Sequence, residues 1–284
     1  MSHLTIPKTY KLFIGGKFPR SESGRVYDIE TAKGVFVANA AQASRKDARD
    51  AVVAARAAFS GWSGATGYNR GQVLYRVAEL LEGRRAQFVD EIQQTEGATA
   101  AAANQQVDAA VDAWVWYAGW ADKYVQVAGN GNPVSGPYFN ISTPEATGVV
   151  AIVAPQKSSL LGLVSVLAPA LVAGNTVVVI ASEQAPLSAI SLAEVLATSD
   201  VPAGVVNILT GSAGEIAPWL ASHADVNALD LAGAGDIDWV ELQIAAADTL
   251  KRVLPPIDGV AGPAVERVTF FTETKTVWHT KSLI

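Results

Sequence analysis

The side chains that could do chemistry in this chain are few, and the most reactive type is missing. The 284 residues include no cysteine, which excludes thiolate nucleophiles, thiolate metal ligands and disulfides. The histidines His3, His223 and His279 are scattered, which argues against a histidine metal site. Ser222 precedes His223, but the Gly-x-Ser-x-Gly motif of a serine hydrolase does not occur. We therefore expect no catalytic residue and no metal site.

A glycine-rich turn is the strongest local signal for nucleotide binding. Residues 231–238, with the sequence LAGAGDID, follow a strand-like segment and precede a helical one. A helix N-terminus attracts phosphate through its free N–H groups and its dipole. Asp236 and Asp238 would instead place carboxylates at that end, where they cap the helix and repel a phosphate. The turn around Gly233 is therefore either a weakened nucleotide site or an aspartate-capped turn, which is the commoner use of aspartate there.

The composition describes a globular protein and limits its partners. Half of the residues are hydrophobic and 17% are charged, which excludes a disordered chain. The net charge of −6 and the pI near 5.1 argue against nucleic acid or an anionic membrane as a partner. Residues 1–10 lack the apolar segment of a signal peptide, and the apolar run Leu160–Ala173 is too short to cross a bilayer. We predict a soluble, cytoplasmic protein.

The second half of the chain alternates between strand-like and helical segments. The predicted strands are Val149–Val153, Thr176–Ile180, Val205–Leu209 and Val226–Leu231. The predicted helices are Gly162–Val172, Leu187–Thr198, Glu215–Ala221 and Asp238–Leu250. Strands at this spacing with intervening helices form right-handed βαβ units. The predicted fold class is α/β, with a Rossmann-like parallel sheet flanked by helices.

The flanking regions are predicted to be mixed. Leu12–Lys17 is a strand that enters a Gly-Gly turn, and Ser44 with Asp47 has the spacing of a capping box that opens a helix. The breaker-rich segment 255–263 is predicted to be a linker. The other predicted elements are strands at Val26–Ile29, Val35–Ala38, Pro137–Thr143, Arg267–Phe271 and Thr276–His279, and helices near 67–82, 84–97 and 103–127.

Several segments together resemble one enzyme family. The sequences DARDAVVAARAAFSGW, LAPALVAGNTVVV, VPAGVVNILTG and FTETKTVW are similar to collinear segments of the NAD(P)-dependent aldehyde dehydrogenase superfamily. The resemblance implies a discontinuous coenzyme-binding-like domain at 1–128 and 148–254, and a β oligomerisation arm at 129–147 and 264–284. The linker 255–263 then stands where the family has its catalytic domain, so the chain resembles a truncated, cysteine-less member.

The resemblance also assigns vestigial roles to three residues. Lys157 falls at the position of the family's oxyanion-binding asparagine, and Glu183 at that of the ribose-binding glutamate. Gly233 falls in the family's coenzyme turn. Ile180 stands where the family has its ribose-binding lysine, and the general base falls near Pro256. The resemblance therefore implies that Lys157, Glu183 and Gly233 are the remnants of a cofactor site. A solvated loop lysine is the commoner explanation of Lys157, and an ordinary turn or cap residue explains Glu183 equally well.

Three functions remain open at this point. The favoured one is a non-catalytic subunit, a pseudoenzyme that assembles through its β arm with a full-length aldehyde dehydrogenase. The others are a module that senses NAD(P)(H), and an oxidoreductase with repurposed chemistry. We expect no cofactor, and NAD or NADP if there is one.

Overall fold

The computed structural model describes residues 8–281. Their strands are β1 (Thr9–Tyr10), β2 (Val26–Glu30), β3 (Phe36–Ala41), β4 (Asn130–Asn132), β5 (Tyr138–Ala146), β6 (Val149–Val153), β7 (Thr176–Ile180), β8 (Val206–Leu209), β9 (Ala228–Asp230), β10 (Arg252–Leu254) and β11 (Thr272–Thr280). The helices are α1 (Arg45–Gly64), α2 (Gly67–Gly83), α3 (Arg85–Glu96), α4 (Ala100–Trp120), α5 (Tyr124–Ala128), α6 (Ser159–Val172), α7 (Leu187–Thr198), α8 (Ala213–Ser222), α9 (Trp239–Ala247) and α10 (Val265–Phe270).

The central sheet is parallel and has the strand order β10-β9-β6-β7-β8. Every residue of β6 and β7 is buried, as expected for strands that helices cover on both faces. Alternate side chains of β6 enter opposite cores. Val150 and Ile152 belong to the core that contains α6 and α7, whereas Val149 and Val153 belong to the core that contains α1 and α8. The predicted α/β class with a parallel sheet is confirmed.

The N-terminal region forms most of its predicted elements, with two differences. The strand predicted at Leu12–Lys17 is wrong, because this segment makes only isolated bridges, Phe13 with Ile208 and Ile14 with Lys17 across the Gly-Gly turn. The capping box of α1 is present, because Ser44 accepts from the Asp47 N–H and the Asp47 carboxylate accepts from the Ser44 N–H at 2.8 Å. Strands β2 and β3 pair antiparallel as predicted. The helix predicted over 103–127 is two helices, since α4 ends at Trp120 and α5 begins at Tyr124.

The β arm, which we define as β4, β5 and β11, is a separate antiparallel sheet with the order β11-β5-β4. Strands β5 and β11 pair along their whole length, from Tyr138 opposite Thr280 to Ala146 opposite Thr272. The two arm segments predicted from the sequence therefore pair with each other.

The prediction of a strand at Arg267–Phe271 was wrong, because Val265–Phe270 is the helix α10. The side chains of Val268 and Phe271 are three residues apart and both are fully buried, which matches one face of a helix. A further strand, β10, was missed; it pairs in parallel with β9 at one edge of the central sheet. Residues 255–264 connect β10 to α10 without a helix or strand.

Candidate coenzyme cleft

A shallow cleft of about 200 Å³ lies at the carboxyl ends of β6 and β9. The turn after β6 contributes Gln156 and Lys157, and the turn after β9 contributes Gly233 and Asp236. Asp258, from the irregular segment after β10, also lines the cleft. Ligands of parallel α/β sheets bind at this edge. The structure thus brings Lys157 and Gly233 together, whereas Glu183 lies on the neighbouring turn and does not line the cleft.

Gly233 is required by the contact between two turns. Its N–H donates to the carbonyl of Val153 at 2.9 Å. A Cβ at this position would lie 1.8 Å from the carbonyl oxygen of Ala154, so no side chain fits. The glycine therefore has a packing role that does not depend on a bound nucleotide.

The N-terminus of α9 carries its own acidic cap. The Asp238 carboxylate accepts from the Glu241 N–H at 3.2 Å, which satisfies one of the free donors of the first turn. Asp236 and Asp258 place two carboxylates in the cleft, against the single cation of Lys157. A pyrophosphate placed here would meet like charges and an end of a helix that is already capped.

The N-terminus of α6 is satisfied by two side chains from distant helices. The Glu96 carboxylate oxygen Oε1 accepts from the N–H of Ser159 at 2.8 Å and from its hydroxyl at 2.6 Å. The Gln106 oxygen accepts from the N–H of Leu160 at 3.1 Å, and Gln106 donates to Glu96. Sequence reasoning missed Glu96 and Gln106 because each lies more than fifty residues before the residue that it caps, and no local pattern marks the contact.

We expect Glu96→Ala to lower the free energy of unfolding by about 1–3 kcal/mol, because the Ser159 N–H and hydroxyl lose their acceptor. Glu96→Gln keeps an acceptor oxygen in the same place, so its free energy of unfolding should fall clearly less than that of Glu96→Ala. Urea denaturation of the two variants measures the difference, and equal losses would contradict the capping role.

Gln156 connects the turn after β6 to the turn after β7 through hydrogen bonds. Its side-chain N–H donates to the carbonyl of Ala154 at 2.8 Å, and its oxygen accepts from the Glu183 N–H at 2.9 Å. The Ser182 hydroxyl donates to the Gln156 carbonyl at 2.8 Å. The Glu183 side chain is exposed. Burial of Tyr27 raises the pKa of its hydroxyl, and the negative charge of Glu183 raises it further. Lys157 is exposed and forms no ion pair with any residue between 8 and 281.

A buried ion pair lies at the end of β9, next to the cleft. Asp230 is fully buried and accepts from Arg267 of α10 and from the Ala232 N–H at 3.1 Å. Burial raises the pKa of Asp230 to about 6, and Arg267 opposes the shift. The ion pair connects α10 to the central sheet. The helix α10 leads directly into β11.

Ser222 and His223 do not form a catalytic pair. The Ser222 hydroxyl donates to the carbonyl of Pro218 at 3.0 Å, and the His223 Nδ1 accepts from the Asp225 N–H at 3.1 Å. Across residues 8–281, acidic and histidine side chains do not gather in threes that could hold a metal ion. No helix in that same range is both long enough and apolar enough to cross a membrane.

Comparison with known proteins identifies the family. A model of the aldehyde dehydrogenase family matches residues 18–260. Retinal dehydrogenase 2 from Gallus gallus is 34% identical over 257 residues, which cover 89% of this chain and 49% of that protein. Aldehyde dehydrogenase, cytosolic 1 from Elephantulus edwardii is 32% identical over 248 residues, which cover 86% of this chain and 49% of that protein. This chain belongs to the aldehyde dehydrogenase family.

A solved structure agrees with the fold. The NAD-dependent aldehyde dehydrogenase from Sinorhizobium meliloti superposes with a TM-score of 0.80 at 27% identity, over 87% of this chain and 50% of that one. The chain spans about half the length of the curated relatives it matches.

Proposed function

We propose that this chain is a non-catalytic, aldehyde dehydrogenase-like subunit that assembles with an active aldehyde dehydrogenase through its β arm. The observation that carries the proposal is a paired β arm in a chain whose coenzyme cleft is acidic. Strands β5 and β11 pair over nine residues each, yet the cleft holds Asp236 and Asp258 and the chain has no cysteine. The features for association are present, while those for the chemistry are not.

The β arm offers apolar surface on both of its faces. One face carries Phe139, 60% exposed, and Ile141, 37% exposed, opposite His279 and Val277 of β11. On the other face, Trp278 is 58% exposed. Exposed strands with aromatic side chains associate readily, because burial removes apolar area from water and the strand edge gains hydrogen bonds.

The edges of the arm are open as well. Strand β4 covers β5 only from Asn140 to Ser142, and β11 has no second neighbour among the described residues. A partner strand could add to the free edge of β11, which is the common mode of β-augmentation. This geometry supports a protein partner with a sheet edge of its own.

We expect the purified chain to show no aldehyde oxidation with NAD or NADP, because no thiol can form the covalent intermediate. Titration calorimetry should show no binding of either dinucleotide in the micromolar range, since the cleft carboxylates repel the pyrophosphate. Micromolar binding without turnover would favour the alternative of an NAD(P) sensor. Turnover by homogeneous protein would show an oxidoreductase with repurposed chemistry.

A second experiment tests the arm itself. We expect Ile141→Lys combined with Phe139→Lys to abolish co-purification with a full-length aldehyde dehydrogenase, because burying two lysines in an apolar contact is costly. Val35→Lys with Val53→Lys is the control, since both valines are exposed apolar residues outside the arm. The readouts are mass spectrometry and dehydrogenase activity of the co-purified material. A monodisperse monomer, or unchanged association of the arm variant, contradicts the proposal.

A further inference from the structure

A second cavity, separate from the coenzyme cleft, lies on the small sheet with the order β1-β3-β2. It has a volume of about 370 Å³, which is within the range of small-molecule sites. The sheet contributes Thr9, Val26, Asn39 and Ala41 to its wall. The loop before β2 contributes residues 20–22, 24 and 25. A sheet and an adjoining loop therefore enclose a space large enough for a small ligand.

The side chains on the sheet wall belong to one face of the sheet. In the strand register, Thr9 lies opposite Asn39, and Val26 lies opposite Ala41. Asn39 and Ala41 are two positions apart on β3, so they share a face. The neighbouring Tyr10 points the other way and belongs to the core. The three strands thus present a hydroxyl, an amide and two apolar side chains to the cavity.

Cations outnumber anions around this cavity, in a chain whose net charge is −6. Lys11, Arg20 and Arg25 line it, together with the single carboxylate of Glu22. That carboxylate pairs with Lys46 at 3.4 Å. Lys46 does not line the cavity, so the charge of Glu22 is compensated from outside it.

Two of these cations have no counter-ion among residues 8–281. Arg25 pairs with Glu215 at 3.4 Å, whereas no carboxylate in that range lies within ion-pair distance of Lys11 or Arg20. The side chains of Lys11 and Arg20 form no hydrogen bond within the same range either. Asp28, on the adjoining strand β2, does not line the cavity. An ammonium and a guanidinium therefore bring two uncompensated charges and unused donors to one space.

We propose that this cavity binds the dianionic phosphate group of a small phosphate monoester. Lys11 and Arg20 compensate its two charges, and the guanidinium donates parallel hydrogen bonds to two phosphate oxygens. The Thr9 hydroxyl and the Asn39 amide are neutral donors that make no hydrogen bond within the described residues. A phosphate monoester carries close to two negative charges near neutral pH, whereas a carboxylate would leave one of the two cations uncompensated.

The organic part of the ester lies against the apolar side chains of the sheet wall. Val26 is 50% exposed and lies opposite Ala41, so a ligand that covers both removes apolar area from water. Inorganic phosphate reaches the charged donors but leaves these side chains uncovered. A monoester should therefore bind more tightly than inorganic phosphate.

Phenyl phosphate is the probe, and phenyl sulfate is a control of nearly equal shape with one negative charge. We expect saturable binding of phenyl phosphate by calorimetry at about pH 8, where it is a dianion. The backbone N–H resonances of Gly24 and Asn39 should shift in NMR spectra at the same concentrations. Phenyl sulfate should bind at least about tenfold more weakly, and inorganic phosphate at least about threefold more weakly.

Each part of the proposal has an outcome that would overturn it. Equal affinities for phenyl phosphate and phenyl sulfate would refute the recognition of a dianion. Equal affinities for phenyl phosphate and inorganic phosphate would refute the ester. No saturation up to about 10 mM, or unmoved resonances of Gly24 and Asn39, would refute the site itself.

Lys11→Gln and Lys17→Gln are a matched pair of variants. Both lysines are exposed and precede β2, but Lys17 does not line the cavity. Each substitution removes one positive charge from the protein. Lys11→Gln should weaken the binding of phenyl phosphate by about tenfold or more, and Lys17→Gln by less than about threefold. Equal effects would show that binding follows the net charge of the protein, which contradicts a site at Lys11.

Discussion

Gly233→Ala should be the most damaging single-methyl change in this protein. Its Cβ would lie 1.8 Å from the carbonyl oxygen and 2.4 Å from the carbonyl carbon of Ala154, and both atoms belong to the backbone. To relieve this clash, the turn after β9 must move away from the turn after β6. That movement breaks the hydrogen bond from the Gly233 N–H to the Val153 carbonyl. We expect a loss of at least about 3 kcal/mol, at the upper end of overpacking effects, or failure to fold.

Gly235→Ala is the matched control two residues away. A Cβ at Gly235 meets nothing within 4 Å, and neither glycine has a positive φ. The control should be neutral, or should stabilise the protein by about 0.4–1 kcal/mol because alanine lowers the conformational entropy of the unfolded chain. Urea denaturation compares the two variants. Similar stabilities would show that the turns are not in the contact described, and Gly233 would need another explanation.

A pH dependence from Asp230 is the second large effect. Burial raises the pKa of this carboxyl from 3.8 to about 6, so the folded state holds the proton more tightly than the unfolded state. The stabilisation from this group is therefore fully present below about pH 4 and is lost as the pH rises through 6. A shift of about two units corresponds to a loss on the order of 3 kcal/mol.

Asp230→Asn isolates this contribution. Other carboxyls, including the buried Glu91 whose pKa is also raised, titrate alike in both proteins and cancel in the difference. We expect the free energy of unfolding of the wild type, measured relative to Asp230→Asn, to fall between pH 4 and 7. Parallel pH profiles for the two proteins would mean that Asp230 titrates normally in the fold.

Local sequence was sufficient for most of the secondary structure. The strand Thr176–Ile180 and the helix Leu187–Thr198 have the predicted bounds, because each has a clear apolar period and turn residues at both ends. The capping box at Ser44 and the cap of α9 by Asp238 also follow from residues three positions apart. Such features depend on neighbours along the chain and can be read without the fold.

The tertiary structure decided what depends on distant partners. Glu96 and Gln106 cap α6 from α3 and α4, and Arg267 of α10 pairs with Asp230 of β9. The segment Arg267–Phe271 has a short apolar pattern that suits a strand or a helix, and burial of two of its side chains on one face selects the helix.

Some features of the candidate site were predicted from the sequence, and others depend on the tertiary structure. The sequence marked Lys157, Gly233 and the aspartates of the turn after β9, and the fold brought Lys157 and Gly233 to one cleft. It left Glu183 outside that cleft and showed that Gly233 is needed for backbone contact. Spacing along the chain specifies which turn a residue occupies, but only the packing of one turn on another determines how close its atoms lie to a neighbour.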